Sequence, residues 1–316
     1  MRIKPGISVV VASHRPGFIK ELLISLLKAA QDIKFPYEII VVADYPIEPL
    51  RKQYNYVKWI FIDDISISKK RNCGVKKAKY SIIGFVDDDC VVDKDWLRIG
   101  YEFLLNNEQF SAVEGKTFIR ADGSESRLIN EYKRLEKPKY RTNNIFYRKK
   151  NFEENGSFDE RFTVQREDVD LAFTVLKNGG SIAFNPSMNV YHRFRSGEWW
   201  DLLKNCWNRR FDPLLLKKHR QEYRKKIGSA FSGTLLSLLS IHSLIIISLF
   251  FMDKAIIPLI VLEITVTTAF TIRRIGVENV GFDYFIKEWW CMLVSPFVLM
   301  AALLYGSVKY KKLLLY

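Results

Sequence analysis

Cysteine is scarce. The 316 residues hold four, Cys73, Cys90, Cys206 and Cys291, and no two form a CxxC pair. That argues against a disulfide framework or a cysteine zinc site and suits a reducing compartment. No GxGxxG follows the first apolar run, and no GxxxxGK[ST] occurs. Dinucleotide oxidoreductases and P-loop enzymes therefore lose their usual phosphate cradle. Internal repeats and low-complexity linkers are also absent. No amino-terminal secretory signal is read, because residues 7–12 already have the pattern of a strand, so the globular part is expected to stay in the cytoplasm.

Acidic residues are outnumbered, 35 Asp/Glu against 49 Lys/Arg, for a net charge of +14. Half of that surplus is local: from Arg193 to Lys226 there are 11 Lys/Arg and 4 Asp/Glu. A basic patch can serve nucleic acid. This one lies directly before a hydrophobic run, which points instead to anionic lipid headgroups and a cytoplasmic side. No nucleic-acid partner is expected.

Long hydrophobic runs, by contrast, are present and crowd the carboxyl end. Residues 229–251 carry one His and no formal charge, 255–272 one Glu, and 289–308 no charge. A helix of about 20 such residues spans the roughly 30 Å hydrocarbon layer. The chain therefore reads as a globular domain (1–198), a basic amphipathic segment at the membrane interface (199–228) and a transmembrane region (229–316). The first two runs form a hairpin that returns to Arg273 and Arg274. A full crossing by the third would carry Lys309, Lys311 and Lys312 outside, against the positive-inside tendency. Pro296 permits a re-entrant or in-plane segment, and two or three spans both remain open.

Within the globular part, residues 7–12, 38–43, 59–62 and 81–86 read as buried strands. Residues 17–30, with Leu22, Leu23, Leu26 and Leu27 at helical spacing, and 68–79 read as helices. This alternation predicts an open α/β fold with a mostly parallel sheet. Ligands of such sheets bind outside the carboxyl ends of the strands. Asp44 stands at one such end and Asp87, Asp88 and Asp89 at another.

In extended chain, Asp87 and Asp89 point one way and Asp88 the other. Two carboxylates about 4 Å apart repel by about 4 kcal/mol at an effective dielectric near 20, and a divalent cation reverses that sign. Mg²⁺ and Mn²⁺ take oxygen ligands and commonly use one or two carboxylates plus substrate phosphates. A second acidic pair, Glu167–Asp168, opens a helix expected over 169–177, where acids also favour the first turn.

Ordered stretches carry a resemblance: ISVVVASHRP, YEIIVVAD, SKKRNCGVKKAKYSIIGFVDDDCVVDKDWL, TNNIFYRKKNFEENGSFDERF, REDVDLAFTVLKNGG and NPSMNVYHR. Together they resemble glycosyltransferase family 2, inverting nucleotide-sugar enzymes with the GT-A (Rossmann-like) fold, over residues 5–195. The resemblance implies that Ser13 and the 12–15 stretch line the nucleotide pocket and that Asp44 accepts a hydrogen bond from the base, usually uracil. Arg71 and Asn72 match the Arg-Asn before the metal strand, and Asn143 and Asn144 would lie near donor sugar or acceptor. Asp87, Asp89 and His192 would hold a divalent cation (Mg²⁺ or Mn²⁺), with Asp87 and Asp88 also near the substrate. Asp168 would be the general base and Glu167 its support or substitute.

A UDP-sugar donor is favoured. Many relatives, however, carry an Asp-Asp-Gly-Ser run where this chain has Ala43-Asp44-Tyr45-Pro46. The Gln-x-x-Arg-Trp run of the polymerising members is missing, so addition of one sugar to a lipid-linked or glycan acceptor is expected. A polyprenyl-phosphate acceptor and an inactive membrane scaffold are the competing readings.

Overall fold

In the computed structural model, residues 4–120, 133–194, 198–251, 254–276 and 280–313 are described. They divide into two compact units, the first closing at Phe194.

The first unit holds β1 (Lys4–Ser13), β2 (Tyr37–Ala43), β3 (Lys58–Phe61), β4 (Tyr80–Phe85), β5 (Cys90–Val92), β6 (Ala112–Arg120), β7 (Ile145–Arg148) and β8 (Ile182–Arg193). They form one sheet in the order β3-β2-β1-β4-β7-β6-β8-β5. β1 to β4 run parallel, as do β6 and β8, while β7 and β5 are antiparallel to their neighbours. The sheet is mixed but mostly parallel, as the alternation of strands and helices predicts. Its helices are α1 (Ile19–Ala29), α2 (Glu48–Gln53), α3 (Ile67–Lys77), α4 (Trp96–Asn106), α5 (Lys149–Glu154) and α6 (Glu167–Lys177).

The apolar runs are continuous because both faces of the sheet are covered. Val9, Val11, Ile39 and Val41 pack with Leu22, Leu26 and Trp96. Val10, Ile40, Val42 and Phe85 pack on the other face with Val75, Leu171 and Val175. Gly74 sits where any Cβ would strike Val10, so α3 lies tight on β1. One turn earlier, that approach sets Lys70 and Arg71 against the carboxyl ends of the strands.

The second unit begins with α7 (Asp201–Asn208) and α8 (Asp212–Lys218) and continues through α9 (Gly233–Phe250), α10 (Ile256–Ile275) and α11 (Phe282–Tyr310). The segment expected as amphipathic is broken into short pieces. Its apolar side, Phe211, Leu214, Leu215, Leu216 and Tyr223, is buried, and Asp212 is enclosed with Arg209 and the Tyr223 hydroxyl on its carboxylate. α9, α10 and α11 are each long and apolar enough to cross a membrane. α11 starts at Phe282, ahead of the expected segment, and takes in Lys287 and Glu288.

Candidate active site

The carboxyl ends of β1, β2 and β4 meet the first turn of α6 and the end of β8. After Phe85 the chain leaves the sheet and turns, with Cys90 N–H donating to the Asp87 carbonyl at 3.2 Å. The alternation expected of an extended chain therefore fails here: in a turn, the three carboxylates fan out in three directions.

Asp88 points back under the loop after β1. Its Oδ2 accepts from Ser13 Oγ (2.9 Å) and from the backbone N–H groups of His14 (2.9 Å) and Arg15 (3.1 Å). Burial, partly offset by these donors, leaves its carboxyl above the ordinary range. Asp87 turns to Arg71, whose Nη2 donates to Oδ1 at 2.8 Å. Asp89 faces β8: Oδ1 lies 3.4 Å from His192 Nε2, and Arg15 Nη1 is 3.2 Å from Oδ2. The register Cys90↔His192 between β5 and β8 makes this meeting possible.

Ligand atoms of Asp89, Cys90 and His192 lie within 4.8 Å of one another. Asp87 is outside this group and ion-paired to Arg71. Burial pushes the Cys90 thiol well up, so it stays neutral and does not suit a hard cation. His192 Nδ1 lies 2.9 Å from the Arg193 carbonyl. With the Nδ1 proton on that carbonyl, Nε2 presents its lone pair toward the Asp89 carboxylate. This is the outer hydrogen bond that metal-binding imidazoles ordinarily make. An oxygen and an imidazole nitrogen, with phosphate and water completing the shell, fit Mn²⁺ or Mg²⁺.

Arg71 is buried and holds both acidic pairs: Nη1 donates to Glu167 Oε1 at 2.6 Å while Nη2 holds Asp87. Burial alone would lower its pKa, but the Asp87 and Glu167 charges more than offset that. Arg166, just before α6, takes a left-handed φ of 81°, which costs a non-glycine residue energy and sets where the helix begins. Glu167 is buried, and its second oxygen has no hydrogen-bond partner among the described residues. Burial, then the charge of Asp168, pushes Glu167 up to about 7. Asp168 is half-buried and accepts from Val169 N–H at 2.7 Å, and burial raises it too. The two carboxyls titrate as a pair, and Asp168 is the more accessible.

Asp44 is engaged by Lys70, which the sequence did not single out, and by His14 of the 12–15 stretch. Lys70 Nζ lies 2.7 Å from Oδ2 and donates to the Ser13 carbonyl at 3.0 Å, and His14 Nδ1 lies 2.6 Å from the same oxygen. Burial works against the charge on Asp44, but these partners outweigh it and the pKa falls. A lysine on a helix ordinarily reads as solvated surface, so the signal was only its place beside Arg71.

The structure does not bring the asparagines into this cluster. Asn72 clasps the backbone of Phe158, donating to its carbonyl at 2.8 Å and accepting from its N–H at 3.1 Å. Asn144 is fully buried: it accepts from Trp96 Nε1 (2.8 Å) and donates to the carbonyls of Lys116 (3.0 Å) and Met188 (2.9 Å). Asn143 meets Thr117 Oγ1 at 3.4 Å. Glu114, also missed, accepts backbone N–H groups from Lys139 (2.9 Å), Tyr140 (2.8 Å) and Arg141 (3.0 Å), pinning the loop that leads to these asparagines.

Residues 8–162 match the family described as glycosyl transferase family 2. A hyaluronan synthase of Pasteurella multocida is 26% identical over 150 residues, 44% of this chain and 15% of that protein. The chain thus spans a small part of the curated relative it matches. A solved structure, "Crystal structure of GalNAc-T7 with UDP, GalNAc and Mn2+", is similar at 14% identity with a TM-score of 0.49, covering 72% of this chain and 57% of that one.

Proposed function

Because the chain belongs to glycosyl transferase family 2 through residues 8–162, we propose that it moves one sugar, with inversion, from a UDP-sugar to a hydroxyl on a lipid-linked glycan or glycolipid. The observation that carries this reading is the placement of Asp89 with His192 on one side of Arg71 and Asp87, and of Glu167 with Asp168 on the other. One station suits a diphosphate and the other suits proton removal.

Ser13, His14 and Arg15, held by Asp88, would flank the nucleotide, and Asp44 would face the base. Asp89 and His192 would hold a divalent cation, which neutralises charge building on the leaving diphosphate. Asp168, the accessible carboxylate, takes the acceptor hydroxyl's proton as that oxygen attacks the anomeric carbon opposite the diphosphate. Glu167, held by Arg71, keeps its neighbour basic. α9 and α10 cross the membrane as a hairpin and leave the sheet unit on the cytoplasmic side, where the basic run 193–226 meets anionic headgroups.

The test is a screen of the purified full chain against nucleotide-sugars, scoring Mn²⁺- or Mg²⁺-dependent donor hydrolysis and thermal stabilisation. A UDP-sugar is expected to give both. No affinity for any nucleoside diphosphate, with or without metal, would sink the enzyme reading in favour of a membrane scaffold.

A further inference from the structure

α11 is long enough, at about 43 Å for its 29 residues, to cross a membrane unaided. Its surroundings differ from those of the other two apolar helices. Inside the protein, 11% of the most apolar window is buried in each of α9 and α10, but 50% in α11.

Its contacts fix both of its ends. At the start, Glu288 is buried against Arg274, the Tyr284 hydroxyl donates to Glu288 at 3.0 Å, and Trp289 Nε1 donates to Thr268 Oγ1 at 3.0 Å. Arg274 and Thr268 belong to the last turns of α10, which ends at Ile275. At the other end, Gly306 lies against the Arg210 carbonyl and Pro213, so closely that a Cβ would not fit. The Tyr305 ring meets Trp207 at 5.6 Å, and Lys217 Nζ donates to the Tyr310 carbonyl at 3.0 Å. The same segment is tied through Asp212 to the Tyr223 hydroxyl (2.9 Å), ten residues before α9 begins at Gly233.

One end of α11 therefore sits at the close of α10, and the other against the 207–217 segment that leads along the chain into α9. α9 and α10 run antiparallel, their middles joined by His242 Nε2 and Glu263 Oε1 at 2.8 Å, so that entry and close lie on one side of the membrane. A crossing α11 would carry its second end to the far side. It would also draw Arg209, Arg210, Asp212 and Lys217 toward the hydrocarbon, where charged side chains are costly to hold.

We propose that α11 does not cross but lies in the cytoplasmic interface as an in-plane helix, seated on an anionic lipid surface. This rests on the α9–α10 hairpin of the reading above. Phe282, Trp290, Phe297, Leu304 and Val308 form its exposed apolar face, which acyl chains cover. Next to Pro296, Phe297 reaches the His242 ring, 4.6 Å away. Lys309, Lys311 and Lys312, with Lys218 and Arg224 of the preceding segment, meet the phosphates. The positive-inside conflict of the third apolar run then disappears, because its terminal lysines stay on the cytoplasmic side.

The test uses the full chain in cell membranes and a membrane-impermeant maleimide, with the unsubstituted chain as the labelling blank. Single substitutions at exposed lysines, Lys150→Cys, Lys254→Cys, Lys287→Cys and Lys311→Cys, report position. In intact cells Lys254→Cys alone is expected to label, and permeabilisation is expected to raise the other three at least tenfold. Labelling of Lys311→Cys in intact cells, together with Lys254→Cys, would overturn the in-plane helix while leaving the hairpin standing. Protection of Lys254→Cys in intact cells would instead remove the hairpin on which it rests.

Discussion

Asp89 stands between a guanidinium and an imidazole, Arg15 Nη1 at 3.2 Å on one oxygen and His192 Nε2 at 3.4 Å on the other. Asp89→Ala removes the carboxylate and leaves the β5–β8 register, a backbone feature, in place. Transfer is expected to fall by about 10²–10³-fold or more, with Mn²⁺-dependent nucleotide binding lost and the far-ultraviolet circular dichroism unchanged. A fully active Asp89→Ala protein would refute the assignment. At the other acidic pair, a proton on the carboxylates prevents them from taking another. Since Glu167 is pushed up to about 7, kcat/KM should rise with pH and level off above that value. Glu167→Gln removes the neighbouring negative charge and should move this limb to lower pH at modest cost in rate. Asp168→Asn should cost about 10²–10⁴-fold with a hydroxyl acceptor. If Glu167→Gln is inert and Asp168→Asn active, Glu167 is the base. Retention of Asp168→Asn activity on a phosphate acceptor alone would favour the polyprenyl-phosphate reading.

At the scale of the element, the loop after β1 depends on a carboxylate 73 to 75 residues away in sequence. Asp88→Ala strips the His14 and Arg15 N–H groups of their acceptor. Both groups are part-buried, so each loss costs at most about 1–3 kcal/mol; the melting temperature should drop and the donor KM should rise more than kcat falls. An unchanged donor KM would separate this loop from the nucleotide.

β1, β2 and β4, with α1 and α3, were legible because these strands are buried on both faces over continuous apolar runs, whereas the edge strand β3 was legible only from the short apolar run that follows Lys58. β5 and β8 were not: β5 has three residues, and β8 mixes exposed and buried positions without an apolar run. Asp89 and His192 could be named from motif resemblance, but their meeting depends on that unseen pairing. The direction of Asp87 was misread because nothing local distinguishes a strand end from a turn. Lys70 stayed hidden because a buried lysine is defined by its partner, Asp44, and not by its neighbours in sequence.

For the whole molecule, the proposed topology has the basic run and the apolar hairpin holding the membrane by different forces. Electrostatic attachment to anionic lipid weakens with salt, whereas a crossing hairpin does not. Washing membranes with concentrated salt, then with alkaline carbonate, should leave the protein in the pellet, and release by salt alone would show that α9 and α10 do not cross. The Arg274–Glu288 pair is a second point of sensitivity, with both side chains nearly enclosed. Removing one partner strands the other charge, so Arg274→Ala should cost about 3–5 kcal/mol and lower the temperature at which detergent-solubilised protein aggregates. The double change Arg274→Met with Glu288→Met should recover much of that loss.

The pairing of β5 with β8 has a consequence in time. Cys90 must wait for His192 before its edge of the sheet can close, and pairings so distant in sequence form slowly. Thirty-nine residues separate the end of β8 at Arg193 from the start of α9 at Gly233. At about 5–20 residues per second of synthesis, that gives the sheet about 2–8 s before the first apolar helix emerges. On the proposed topology the intervening stretch is a delay as well as a lipid contact, and shortening it would set sheet closure against membrane insertion in the newborn chain.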